Sequence, residues 1–152
     1  MNIATTNEFG RRTVSWIGTQ YSITVTREDS AGLLGVFESV VPAGEGPPLH
    51  VHHNEDEVIH VIEGEYEFWL DGQSMRRGPG HSVFLPRGVP HTFRIVSQVP
   101  GRNLGIVTPG GFENFFVEMA SRGLEIPTDL PEIGRIGADY GLEFKGPAPW
   151  KD

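Results

Sequence analysis

Residues 44–64 read G-E-G-P-P-L-H-V-H-H-N-E-D-E-V-I-H-V-I-E-G, and the rest of the chain is organised around them. His50, His52 and Glu57 fall within eight residues. On a β-strand, side chains two residues apart share a face. His50 and His52 therefore project together while Val51 points the other way. The polar run His53-Asn54-Glu55-Asp56 reads as a turn. A strand starting at Glu57 is expected to return and bring its carboxylate beside the imidazoles. Two nitrogens and one oxygen converging there make most of a first-row metal site. Glu55 and Asp56 compete with Glu57 for the carboxylate role, and the spacing favours Glu57.

Outward from this stretch, residues 80–91 read G-H-S-V-F-L-P-R-G-V-P-H. His91 follows a Pro/Gly turn and opens an alternation with His91, Phe93 and Ile95 on one face and Thr92 and Arg94 on the other. A strand facing His91 inward sets it between apolar neighbours, so His91 is the fourth ligand candidate.

At these residues the chain resembles the cupins. Gly44, His50, His52, Glu57 and Gly64 match the first cupin motif, G-x5-H-x-H-x4-E-x6-G, without a spacing error. Gly80, Pro86, Gly88 and His91 match the second, G-x5-P-x-G-x2-H-x3-N, with Ile95 in place of the final Asn. That Asn is not a metal ligand in the family. A lone H-x-H is weak, whereas nine fixed positions at the right offsets are specific. The run P-P-L-H-V-H-H-N-E-D-E also looks like the small quercetin 2,3-dioxygenase-like monocupins.

Length and composition bound what surrounds the motifs. A chain of 152 residues suits one domain, 1–152, with a strand-rich core over about 13–108 and a helical segment over about 112–141. Twenty Gly and twelve Pro favour short strands and turns. With no Cys, disulfides and thiolate ligands are excluded, leaving imidazole and carboxylate. A net charge of −8 argues against nucleic acid. No apolar run reaches membrane-spanning length, and residues 1–6 lack a basic start and an apolar core, so a cytoplasmic location is expected.

Residues 1 to about 12 are polar and read as a lead-in. Strands are expected over 13–17, 21–26, 33–41, 57–62, 65–70, 73–76, 82–85, 91–96 and 103–108, with Asp71-Gly72 as a hairpin turn. Phe112, Phe115, Phe116 and Met119 then recur at helical spacing, and Gly123 is placed to end that helix. A second helix is expected from about Pro131 to Tyr140, started by Thr128 or Asp129 and ended by Gly141, with Ile133, Ile136 and Tyr140 on its apolar side. The fold class is therefore all-β: a cupin-type jelly-roll β-barrel with two short C-terminal helices. The helix stripe reads as packing on the barrel, with a lid over its mouth as the alternative. His53 and His81 read as turn residues, His60 as off the inward parity, and Arg87 and Arg94 as surface charge.

Three neutral imidazoles and one carboxylate around a divalent ion leave a charge of about +1, which attracts an enolate, phenolate or carboxylate. The ligand set admits one divalent transition metal, Fe, Mn, Ni, Co, Cu or Zn. Four protein ligands leave positions open for water, substrate or dioxygen. The resemblance to quercetin dioxygenases implies that Glu57 is ligand and general base together. Tyr66, Phe68, Phe93, Phe112 and Phe115 are candidate substrate contacts. The leading expectation is a metal-dependent dioxygenase acting with O2 on an enolisable aromatic or dicarbonyl small molecule. The alternatives are a non-oxidative isomerase, epimerase or decarboxylase on the same metal, and a small-molecule-binding protein without catalysis. Family resemblance also suggests a homodimer.

Overall fold

The computed structural model describes residues 12–151, so the polar lead-in expected before them falls outside the described residues. Eleven strands and two helices follow in order. These are β1 (Arg12–Trp16), β2 (Thr19–Val25), β3 (Gly35–Val41), β4 (Leu49–His52), β5 (Asp56–Glu63), β6 (Tyr66–Leu70), β7 (Gln73–Arg77), β8 (Ser82–Leu85), β9 (His91–Ile95), β10 (Gly101–Thr108), α1 (Glu113–Arg122), α2 (Leu130–Asp139) and β11 (Leu142–Gly146).

The strands form two antiparallel sheets, one of six strands ordered β1-β2-β3-β10-β5-β8 and one of five ordered β11-β4-β9-β6-β7. Together they make a jelly roll of the cupin type. The expected barrel is not closed, because among the described residues no ladder joins the two sheets. Their contact is instead made by side chains. Burial alternates residue by residue along β3, β5 and β10, as a sheet with one buried face requires.

Two apolar clusters fill the space between and beside the sheets. One joins Trp16, Ile23, Phe37 and Val107 to Phe112, Phe115, Phe116, Met119, Ile133, Ile136 and Leu142. The other holds Val41, Ile59, Val61, Tyr66, Phe68, Val83, Leu85 and Ile95. Burying one such large side chain contributes about 1.5–3 kcal/mol.

The helices belong to the first cluster. α1 buries Phe115, Phe116 and Met119, and Gly123 ends it in the left-handed region (φ 63°), its N–H donating to the Met119 carbonyl. Glu113, fully buried in the first turn, ties the start of α1 to the turn that follows β2. One of its carboxylate oxygens accepts the Arg27 N–H at 2.7 Å and the other the Gly111 N–H at 2.8 Å. Gly35 makes room for it, since a Cβ there would lie 2.0 Å from the carboxylate. In α2, Ile133 and Ile136 are buried as expected, but Asp129 does not cap the helix; its carboxylate accepts the Glu125 N–H instead.

The sequence reading ended at Gly141, yet the chain continues as β11 and pairs with β4. Leu142 faces His52 and Phe144 faces His50 across that ladder. The C-terminal segment thus covers the free edge of the strand that carries the two histidines.

Candidate metal centre

The site is assembled from both sheets. β4 presents His50 and His52 on its inner face, and His91, at the start of β9, is the direct cross-strand partner of His50. Ring centroids lie 4.5 Å apart for His50 and His91, 5.1 Å for His50 and His52, and 5.4 Å for His52 and His91. Each ring brings a nitrogen within 4.8 Å of the others, an arrangement that could hold a metal ion. Glu57 arrives from β5, in the facing sheet, and not by the simple hairpin return expected from sequence. Its Oε1 stands 3.3 Å from His91 Nε2 and 3.8 Å from His52 Nε2. All four side chains are buried.

Backbone carbonyls set two of the three tautomers. His50 donates its Nδ1–H to the Pro48 carbonyl at 2.8 Å, and His91 donates Nδ1–H to the Val89 carbonyl at 3.2 Å. In its neutral form each ring therefore carries its lone pair on Nε2. His91 Nε2 is buried without a hydrogen-bond partner, since its approach to Glu57 lacks hydrogen-bond geometry. A buried acceptor left this way calls for a cation or a donor. Burial, with its imidazole neighbours His91 and His52, pushes His50 well below the usual imidazole range. Burial and the same kind of neighbour hold His52 down at about 3. Both are therefore neutral near neutral pH, the form in which imidazole binds a metal. The donor set and the partnerless Nε2 fit a divalent transition ion held by His50, His52 and His91, with Glu57 beside them.

The imidazoles open into a cavity of about 490 Å³. Its walls are largely aromatic: Trp16, Tyr21, Phe37, Phe93, Phe112, Phe115 and Phe116. Thr19, Ser39 and Asn103 add polar atoms. Phe112 packs edge-on against His52 at 4.4 Å between centroids.

Of the aromatics expected at the cavity, Phe93, Phe112 and Phe115 are in its wall and Tyr66 and Phe68 are not. Tyr66 and Phe68 are fully buried in the second apolar cluster, where Asn103 donates to the Tyr66 hydroxyl at 2.8 Å. Leu70 is the cross-strand partner of His91, so Phe68 and Tyr66 lie two and four residues further along β6. Strand parity gave their face correctly but not their depth.

Asp56 turns outward and pairs with Arg87 at 3.2 Å, which holds its carboxyl below the usual range and removes it as a ligand. Glu55 is buried, its carboxyl pushed up to about 7 by burial and by Glu57 and Glu113. His53 pairs with Glu143 at 2.8 Å, His60 with Ser82 at 2.8 Å, and Arg94 with Glu67 at 2.8 Å, all away from the cavity wall. Tyr21, Ser39 and Asn103 were missed from sequence. The readable signal was a polar residue at inward parity, as Ser39 stands between Phe37 and Val41 on β3.

With the geometry in place, comparison with known proteins decides the family. Residues 37–107 match the family model described as the cupin domain. Residues 37–107 are a cupin domain. The cupin match runs from within β3 to within β10 and includes every residue of the His50, His52, His91 and Glu57 cluster. Quercetin 2,3-dioxygenase of Bacillus subtilis is 29% identical over 96 residues, 63% of this chain and 28% of that protein. Dimethylsulfoniopropionate lyase DddQ of Ruegeria pomeroyi is 42% identical over 62 residues, 40% of this chain and 30% of that protein. The matches thus span under a third of either relative's length. An RmlC-like cupin from Shewanella frigidimarina superposes with a TM-score of 0.57 at 18% identity, covering 72% of this chain and 93% of that one, which is a likeness of fold. Among the described residues no helix is long and apolar enough to cross a membrane.

Proposed function

We propose that this cupin holds one divalent transition metal through His50, His52, His91 and Glu57 and acts as a dioxygenase on an enolisable aromatic or dicarbonyl small molecule. The observation carrying this reading is the convergence of three imidazoles and a carboxylate at the base of an aromatic cavity. Similarity to the quercetin dioxygenase supports it. The metal, when bound, supplies positive charge for a deprotonated substrate oxygen and an electron path toward O2. The protein's own residues do the rest. Glu57 Oε1, close to both His52 and His91, accepts the proton from a substrate hydroxyl or acidic C–H as general base. Phe93 and Phe112 clasp a flat ring and exclude bulk water, with Phe115 packed in the wall behind Phe112. Ser39 and Asn103 offer hydrogen bonds that can orient it.

The DddQ match favours a second reading, a non-oxidative metal lyase using the same base. Oxygen uptake separates the two. The protein would be loaded in turn with each divalent metal and given a panel of flavonols and β-diketones. The dioxygenase reading expects uptake that needs metal and substrate and fails in Glu57→Gln, with most of the metal retained. Substrate loss at an equal rate without oxygen would establish the second reading instead. Full turnover by Glu57→Gln would remove the general-base role.

A further inference from the structure

Two of the three imidazoles owe their tautomer to a backbone carbonyl; His52 does not. Its Nδ1 is buried and has no hydrogen-bond partner among the described residues. The nearest carboxylate is that of Glu55, whose Oε1 lies 3.7 Å away and is itself buried without a partner. Glu55 is only 5% exposed, although it sits in the turn between β4 and β5, where a glutamate would ordinarily point into water. A donor and an acceptor are thus both left unmatched inside the protein, facing each other. Leaving both so costs more than closing the gap. At 3.7 Å the contact is longer than a hydrogen bond, and a shift of about 0.7 Å brings it into range.

We propose that Glu55 is the positioning residue for His52, accepting its Nδ1–H and so fixing the lone pair on the Nε2 that faces Glu57. The inference rests on the metal-centre reading above and assigns Glu55 no contact with metal or substrate. Once His52 is held this way, all three imidazoles are Nδ1–H tautomers with Nε2 turned toward the same space. A metal-binding imidazole whose other N–H is anchored by a carboxylate is oriented and made more basic. Glu55 thereby does by side chain what Pro48 and Val89 do by backbone for His50 and His91.

The test reads the tautomer directly. Nitrogen chemical shifts of the 15N-labelled, metal-free protein at neutral pH should show His52 protonated on Nδ1. Glu55→Ala should shift His52 toward the Nε2–H form and weaken Co²⁺ or Zn²⁺ binding, measured by chelator competition, by about 10- to 100-fold. Glu55→Gln keeps an acceptor oxygen at the same reach, so it should retain the tautomer and stay within a few-fold in affinity. If Glu55→Ala fails to fold, Glu55→Asp, one methylene short, should lose the tautomer that Glu55→Gln keeps. Wild-type His52 protonated on Nε2, or a tautomer indifferent to Glu55→Ala, overturns the proposal. A wild type that binds neither metal while showing the Nδ1–H form would overturn the metal centre and leave the pairing standing.

Discussion

Glu113→Gln tests whether the buried carboxylate under α1 holds the helix over the site. The wild-type side chain is fully buried and accepts two backbone N–H groups, one per oxygen, from Arg27 and Gly111. Glutamine has one acceptor oxygen, and its NH2 would face the second donor. One backbone N–H is then buried without a partner, costing about 1–3 kcal/mol, and the surviving bond loses its charge assistance, roughly another 1 kcal/mol. The sum is about 2–4 kcal/mol. For a chain of this length each 1 kcal/mol moves Tm by about 2–4 °C, so the variant should melt roughly 5–15 °C lower. Circular dichroism melts and urea titrations with a common m-value would measure it. Glu113→Met, similar in size but accepting nothing, should lose more than Glu113→Gln. If either variant melts within about 1 °C of wild type, the two bonds carry no net stability and the anchor argument fails.

Phe112→Ala and Phe115→Ala should part company. Phe112 touches His52 in the cavity wall, so its loss should raise KM by about 10- to 100-fold for a ring-bearing substrate. Phe115 is 1% exposed among Trp16, Phe112, Phe116 and Tyr140, so its loss should cost about 3–5 kcal/mol of stability; the reverse pattern of KM and Tm would refute the division. Acid should destabilise the metal-free protein through His52. Its pKa is lowered in the fold, from 6.5 to about 3, so this stabilisation is present above 6.5 and lost as pH falls toward 3. Glu55 works with the opposite sign, since a carboxyl raised to about 7 contributes stability below 4.5 that is lost as pH rises through 7. In urea unfolding across pH, His52→Gln should flatten the acid limb, and an unchanged slope would contradict burial as the cause. Gly46→Ala should disturb the cavity mouth, because its Cβ would meet the Phe93 carbonyl oxygen at 1.8 Å; wild-type Tm and KM together would refute that close approach.

How much of this was legible beforehand depended on the kind of information each residue carries. The convergence of His50, His52 and His91 was readable because spacing and parity are local properties of a chain, and a strand converts them directly into direction. The approach of Glu57 to the imidazoles was readable too, but its route was not. Asp56 begins a strand in the opposite sheet, a pairing decided by Val107 and Leu85 far along the chain. Tyr66 and Phe68 were misplaced for a related reason: alternation names a face, while position along the strand depends on the register Leu70 to His91. β11 was not expected, although Leu142 and Phe144 alternate with Glu143 and Lys145; its partner β4 lies far back in the chain, beyond what a local pattern names. His53 N–H donates to the Gly141 carbonyl, which ties that turn beside the histidines.

The division of the cluster between the sheets has a mechanical side. Imidazoles rise from one layer and the carboxylate from the other, and no ladder joins the layers among the described residues. Side-chain packing, the Asn103–Tyr66 hydrogen bond and the connecting turns resist their sliding. An ion gripped by all four groups would act as a rivet through both plates, placed where shear would otherwise begin. Loading should then slow amide exchange in β5 and β9 together, although the two strands share no hydrogen bond.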